Sequence, residues 1–169
     1  PRLDATEADF AAQQEILLAV EKNVKEIHQA VNAMRGAKEQ VARISEHLAQ
    51  VEGTELLIDT GKVLMDKIAS WEERLIQPKQ KTFQDVINFP NQLNAELLNL
   101  KSRVSGHHPK PTEGAKERLE HLLDEWATYR QEMQQLIGVD LKAYNDLYKQ
   151  MDLPVVILNL EEPEESKGK

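Results

Sequence analysis

Residues 10–48 read FAAQQEILLAVEKNVKEIHQAVNAMRGAKEQVARISEHL, and their apolar residues recur at a seven-residue spacing. One series comprises Phe10, Leu17, Val24 and Val31. A second series, offset by three residues, comprises Val20, Ile27, Met34, Val41 and Leu48. Two interleaved series of this kind place apolar side chains in a stripe along one face of an α-helix. The stretch therefore predicts a long amphipathic helix that packs along that stripe.

This first arm of the chain has a clear helix start and one internal glycine. Thr6, followed three residues later by Asp9, is a suitable N-cap with a carboxylate in the first turn. Gly36 costs about 1 kcal/mol relative to alanine inside a helix. Because the seven-residue series continues past Gly36, the sequence predicts one helix from about residue 5 to 51.

The second arm, about 55–104, follows Gly53 as a helix C-cap and Thr54 as the next N-cap. Its apolar stripe continues, with a shift in phase, across two prolines. Proline removes a helix hydrogen bond and clashes with the preceding turn, at a cost of about 3 kcal/mol, so we predict breaks near Pro78 and Pro90. The stripe residues are Leu57, Leu64, Ile68, Trp71 and Leu75, then Phe83, Val86, Leu93, Leu97, Leu100 and Val104.

The third arm, about 112–152, begins after a loop rich in Gly, His and Pro, and Thr112 is its predicted N-cap. A small slip in the phase of its stripe falls at Ile137–Gly138. The stripe residues are Leu119, Leu122, Trp126, Tyr129, Met133, Leu136, Leu141, Tyr144, Leu147 and Met151. Pro154 ends the helix, and we predict that residues 155–158 lie as a short extended strip against the helices.

Three arms of matched length that are joined by short connections pack antiparallel. We therefore predict an all-α chain that forms an elongated antiparallel three-helix bundle, with arms about 60–75 Å long. Residues 1–158 form this single domain, and residues 159–169 form an acidic tail predicted to be disordered. A squatter bundle of five or six shorter helices is the alternative if Gly36, Pro78 and Gly138 are true turns.

The composition favours a helical protein and excludes several functions. Apolar residues make up 40% and charged residues 30% of the 169 residues, which is typical of helices with a narrow apolar stripe. The formal net charge of −8 argues against a general nucleic-acid binder, because such proteins need a concentrated basic face. The chain has no cysteine, and no apolar run approaches the ~20 residues of a membrane span. Its first residue is proline, so we expect a processed product or a piece of a larger protein.

Sequence motifs that carry chemistry are absent. The patterns HExxH, GxxxxGK[ST], GxGxxG and GxSxG do not occur. Di-metal bundles place a glutamate three residues before a histidine, and none of His28, His47 and His121 has one there. The adjacent histidines His107 and His108 are weak loop candidates, because two ligands are too few for a closed metal site. We predict a non-enzyme without catalytic residues, metal or cofactor.

The segment DVINFPNQLN, residues 85–94, is irregular where a plain helix is expected. Irregularity within a regular element often marks a packing joint or a partner contact. The candidates for an interaction site or structural joint are Asp85, Asn88, Phe89, Pro90 and Asn94. The alternative is that Phe89 fills the core while Asn88 and Asn94 cap the ends of broken helices.

Several segments together resemble the C-terminal helical region of bacterial secreted Asp-box (BNR) repeat proteins with sortilin-like β-propellers, often labelled glycosyl-hydrolase-like. The resemblance extends over roughly residues 5–157, and its most specific part is the NFPxxLN block. The segments that carry it are QPKQKT at 77–82, DVINFPNQLN at 85–94, the leucine-rich 97–104, Pro111–Thr112, Tyr144–Asn145 and Pro154–Val156.

The resemblance implies that the chain is the terminal accessory domain of an exported protein, periplasmic or extracellular, whose propeller would carry any hydrolase activity. It implies no catalytic residue within these helices. We therefore expect a non-catalytic structural or interaction module whose partner is its own upstream propeller or another protein. A homo-oligomerisation bundle is the alternative, since a narrow apolar stripe is also completed by a second copy. A metal-binding or hydrolytic domain is a further alternative.

Overall fold

The computed structural model describes residues 5–77, 90–106 and 109–153, and every regular element in these ranges is helical. The elements are α1 (Glu7–Leu48), α2 (Glu55–Leu75), α3 (Leu93–Val104), α4 (Glu113–Gln135), a π-helical segment (Leu136–Leu141) and α5 (Lys142–Gln150). The predicted all-α class is therefore confirmed for the part of the chain that the structure describes. The expected break near Pro78, the strip at 155–158 and the acidic tail lie outside the described residues.

Helix α1 begins and continues as its sequence predicts. The Asp9 backbone N–H donates to Thr6 Oγ1 at 3.2 Å, and the Thr6 backbone N–H donates to Asp9 Oδ2 at 2.9 Å. These two reciprocal bonds form a capping box, which satisfies backbone donors that the first helical turn leaves unpaired. The helix runs through Gly36 without a break. The prediction of one helix across Gly36 is confirmed.

The turn between α1 and α2 corrects the predicted role of Thr54. Gly53 adopts a positive φ of 81°, which suits glycine after a helix C-terminus. Thr54 occupies the N-cap position of α2, but its side chain makes no cap hydrogen bond. Its buried hydroxyl instead donates backwards to the carbonyls of Leu48 at 3.0 Å and Val51 at 2.7 Å. The hydroxyl therefore stabilises the end of α1 rather than the start of α2.

The predicted stripes form most of one apolar core. The buried stripe residues are Val20, Ile27, Val31, Met34, Val41, Leu48, Leu57, Leu64, Ile68, Trp71, Leu75, Leu93, Leu97, Leu100, Val104, Leu122, Trp126, Leu136 and Tyr144. Partly buried stripe residues that pack against this core are Leu17, Val24, Leu119, Tyr129, Met133, Leu141, Leu147 and Met151. The hydrophobic period therefore located the packing faces of all the helices that the structure describes.

Phe10 is the exception, because it was predicted on the stripe and its exposed fraction is 54%. A straight α-helix drifts by about 20° per heptad relative to a strict seven-residue repeat. Along this series Val31 is buried, Val24 and Leu17 are partly buried, and Phe10 is exposed. The series rotates out of the interface towards the N-terminus, where Ile16, outside both series, is buried instead.

The phase slip in the third arm is a π-helical segment rather than a turn. The i→i+5 hydrogen bonds of a π-helix widen the turn and accommodate an extra residue within an otherwise α-helical run. This widening lets Leu136 and Leu141, five residues apart, both pack on the core side. Gly138 lies inside the segment and Gly36 lies inside α1, so neither glycine is the turn that the squatter bundle requires.

Polar contacts join α1 to three other helices. Arg35 Nε donates to Glu72 Oε1 at 2.8 Å and so ties α1 to α2. Near its N-terminus, α1 meets α3, where Gln13 Nε2 donates to the Val104 carbonyl at 2.6 Å. The α1–α4 contact pairs Glu26 Oε2 with Trp126 Nε1 at 3.4 Å. Helix α2 also packs against the π segment and α5, and α3 packs against α4.

Tyr144, in α5, is buried at the point where α1, α2 and α5 meet, and its hydroxyl has no hydrogen-bond partner among the residues that the structure describes. The Tyr144 ring lies close to Gly61 on α2. Burial, with a smaller contribution from Tyr148, raises the pKa of the Tyr144 hydroxyl above its ordinary value. A buried hydroxyl without a partner has lost its water without compensation, which costs free energy.

Tyr144→Phe is expected to raise the free energy of unfolding by about 1 kcal/mol near neutral pH, because it removes an unpaired buried hydroxyl. The raised pKa adds a second effect. Stability is retained below the unfolded-state pKa of about 10 and falls as pH rises beyond it, since the unfolded tyrosine ionises first. Phenylalanine should therefore reduce the loss of stability at alkaline pH. Urea denaturation from pH 7 to 11 tests both effects, and a loss above 1 kcal/mol at pH 7 would show that the hydroxyl has a partner.

Candidate interaction surface

The sequence-predicted joint is only partly within the described residues. Pro90 is exposed just before α3, and Asn94 is the second residue of that helix. The N-cap of α3 is Gln92, so the alternative role of Asn94 as a cap is wrong. Within the described ranges, Asn94 Oδ1 is buried and finds no hydrogen-bond partner. Asp85, Asn88 and Phe89, like the loop candidates His107 and His108, lie outside the described residues, so the joint remains a prediction.

A groove runs between α2 on one side and α4 with the π segment on the other, and its volume is about 460 Å³. We call it the α2–π groove. It is lined by Val63, Asp66, Lys67, Ser70, Trp71, Arg74, Glu132, Gln135, Leu136 and Asp140. The groove is positioned by the widened turn of the third arm, and π-helical turns occur frequently at functional sites.

Two ion pairs cross the α2–π groove. Lys67 Nζ lies 2.5 Å from Asp140 Oδ1, and the Arg74 guanidinium binds the Glu132 carboxylate through both of its terminal nitrogens. The same guanidinium lies 4.9 Å from the centre of the Tyr129 ring, a distance that permits a cation–π interaction. All four charged side chains are partly exposed, so each pair contributes about 0–1 kcal/mol to stability. Their main effect is to fix the charge pattern along the groove.

The floor of the groove is part of the core. Trp71 is 1% exposed, and its indole N–H donates to the Tyr129 carbonyl at 2.8 Å. Trp126 is likewise buried, with its indole N–H directed to Glu26. Both tryptophans lie on the apolar stripes, which predicted buried core residues, and this prediction is confirmed. A ligand in the groove would contact its rims rather than an exposed indole face.

Some apolar side chains of α2 and the π segment remain uncovered. Ile137 and Val139 of the π segment are 44% and 64% exposed. Val63, which is 55% exposed, is the exposed large apolar residue among those that line the groove, and it lies there beside charged side chains. Sequence reasoning missed this surface, although the phase slip at Ile137–Gly138 was a signal of its irregular backbone.

Two further features of the described residues concern clusters of metal-ligating side chains and helices that could span a membrane. Within residues 5–77, 90–106 and 109–153, no group of three or more His, Asp or Glu side chains is arranged to hold a metal ion. No helix in these ranges combines the length and the apolar character needed to cross a bilayer.

Comparison of the chain with protein-family models, with curated proteins and with solved structures gave no match.

Proposed function

We propose that this chain is a non-catalytic structural or interaction module, built as an elongated antiparallel bundle of three arms. Helix α1 is the first arm, α2 and α3 together are the second, and α4, the π segment and α5 are the third. The bundle presents the α2–π groove as its contact surface. One apolar cluster that includes residues from every arm supports this arrangement.

The order of contacts along α1 supports the antiparallel direction. From its N-terminus to its C-terminus, α1 meets Val104 through Gln13, then Lys101 through Glu21, then Glu72 through Arg35. Near Val41 it approaches Gly61 of α2. Residue numbers on the second arm therefore fall as those on α1 rise, which is the signature of antiparallel neighbours.

The observation that carries the interaction role is the α2–π groove itself, in which the exposed Val63 lies beside the ion pairs Lys67–Asp140 and Arg74–Glu132. Such a surface combines apolar contact area with charges that select the orientation of a partner. The resemblance at residues 85–94 and at Tyr144–Asn145 supports a role as the terminal domain of an exported β-propeller protein. On this proposal the partner is the propeller, and the location is periplasmic or extracellular.

A titration of the chain with the purified propeller of its parent protein tests this role. Val63→Asp is expected to weaken binding by about tenfold or more, because an apolar contact in the groove becomes charged. The matched control is Leu18→Asp, which changes a leucine that is 54% exposed on α1. Calorimetry that finds no binding, or equal loss in both variants, would contradict the proposal.

Self-association is a second candidate, and one observation favours it. Leu56 and Val63 are seven residues apart on α2 and are 64% and 55% exposed, which resembles one heptad, about two helical turns, of an unpaired stripe. Light scattering over a hundredfold concentration range separates the two candidates. A constant monomer mass would dismiss the oligomer, and a dimer abolished by Leu56→Asp would support it.

The metal-binding or hydrolytic alternative depends on His107 and His108. Metal analysis of untagged protein tests it, and the absence of stoichiometric metal would dismiss a bound-metal role.

A further inference from the structure

A second concave site lies away from the α2–π groove, where α3 ends and α4 begins. This cleft has a volume of about 370 Å³, which is within the range of small-molecule sites. Its apolar lining comes from Leu100 and Val104 of α3 and from Pro111. Three cationic side chains, Arg103, Lys110 and Arg118, line the same cleft.

The charges in the cleft are unevenly paired. Arg118 donates to Glu96 Oε2 at 3.0 Å, so one cation is already matched by a carboxylate of the lining. Neither Arg103 nor Lys110 forms a hydrogen bond or a close ion pair with the residues that the structure describes. Lys110 is attracted to Asp9 at longer range, but that carboxylate already accepts hydrogen bonds from Thr6. The cleft therefore holds two cations that no neighbouring carboxylate matches closely.

Gly114, in the first turn of α4, also lines the cleft. A Cβ atom added there would meet nothing within 4 Å, and its φ is not positive, so neither packing nor backbone geometry requires glycine. Glycine inside a helix costs up to about 1 kcal/mol relative to alanine. Its missing side chain leaves open space beside the first turn of α4. Thr112 Oγ1 accepts the Ala115 N–H there at 3.2 Å, while the N–H groups of Glu113 and Gly114 have no role in the internal hydrogen bonds of an α-helix.

We propose that this cleft binds a small organic oxyanion, a carboxylate or a phosphate monoester. Its charged group would lie between Arg103 and Lys110, and its apolar part against Leu100, Val104 and Pro111. The partial positive charge at the N-terminus of α4 also attracts an anion, as the two cationic side chains do. The proposal is independent of the α2–π groove, because the two surfaces share no residue.

Titrations of the full chain, followed by amide NMR shifts and calorimetry, test the site. The probes are phenyl phosphate, benzoate, inorganic phosphate and benzyl alcohol. The aromatic oxyanions are expected to bind saturably and to shift residues around the cleft, and their affinity should fall with added salt. Inorganic phosphate should bind more weakly because it lacks the apolar part, and benzyl alcohol should not bind because it lacks the charge. Tighter binding of phenyl phosphate than of benzoate would indicate a phosphate monoester as the ligand class. The reverse order would indicate a carboxylate.

Three variants and one control make the result specific. Arg103→Gln and Lys110→Gln are each expected to weaken binding about tenfold, the usual effect of losing a charged hydrogen bond. Lys149→Gln, which removes a lysine that does not line the cleft, should leave affinity unchanged. Gly114→Ala should weaken binding while thermal stability is unchanged or higher, which a merely structural role would not produce. No saturable binding of either aromatic oxyanion, or equal losses in all four variants, would overturn the proposal.

Discussion

Leucine in place of Gly61 is expected to lower the free energy of unfolding by about 3 kcal/mol, the upper part of the usual range for an overpacked core. A Cβ atom at this position would lie 3.0 Å from Val41 Cγ1, 3.2 Å from Tyr144 Cε2 and 3.3 Å from Ser45 Oγ. The close approach of α1, α2 and α5 means that these side chains would have to shift for a Cβ atom alone, and leucine adds three further carbon atoms. Moving the helices apart would cost contacts along the whole neighbouring core.

Gly36 provides a matched control, because it also lies within a helix but a Cβ atom there would meet nothing within 4 Å. Gly36→Leu is expected to be neutral or to stabilise by up to about 1 kcal/mol through higher helix propensity. Urea denaturation of both variants gives the comparison directly. Equal changes in the two free energies of unfolding would mean that the helices do not approach closely at Gly61.

Trp71→Ala is expected to cost about 3–5 kcal/mol, since it empties a large volume in the core. The side chain is 1% exposed, and its indole N–H donates a hydrogen bond to the Tyr129 carbonyl at 2.8 Å. Trp71→Phe should cost less, about 1–3 kcal/mol, because most of the volume remains and the hydrogen bond is lost. Urea denaturation monitored by circular dichroism measures both variants.

Val139→Ala is the control for Trp71, because Val139 is 64% exposed and surface truncations usually change stability by less than about 0.5 kcal/mol. A cost below 1 kcal/mol for Trp71→Ala would contradict its position in the core.

The repeating apolar pattern was sufficient to predict the helices and most of the core. Helix packing buries one face of each helix, so the seven-residue spacing of residues such as Val20, Ile27 and Met34 identifies the buried face. The capping box at Thr6 was also visible, because it is a local feature of four consecutive residues. The exposure of Phe10 could not be predicted from the pattern. It depends on the small mismatch between the heptad and the helical turn, summed over three repeats.

Features that depend on contacts between residues distant in the sequence could not be predicted from the sequence alone. Gly61 looks like an ordinary helix glycine until Tyr144, 83 positions away, is placed against it. The candidate site was hidden for the same reason, because Lys67 and Asp140 meet only when α2 and the π segment pack together. The two unmatched cations of the second cleft also come from separate elements, with Arg103 on α3 and Lys110 before α4.

The packing of the third arm against α2 of the same chain is the central claim, and crosslinking measures it directly. The chain has no cysteine, so Lys67→Cys/Asp140→Cys places the only two thiols across the α2–π groove. Lys67→Cys/Lys116→Cys is the control, because Lys116 lies in the first turn of α4, towards the other end of the proposed bundle. With a short bismaleimide at low protein concentration, we predict a crosslink within the monomer for the first pair and none for the second. Crosslinked dimers, or no crosslink for the first pair, would contradict the three-arm bundle and the groove that depends on it.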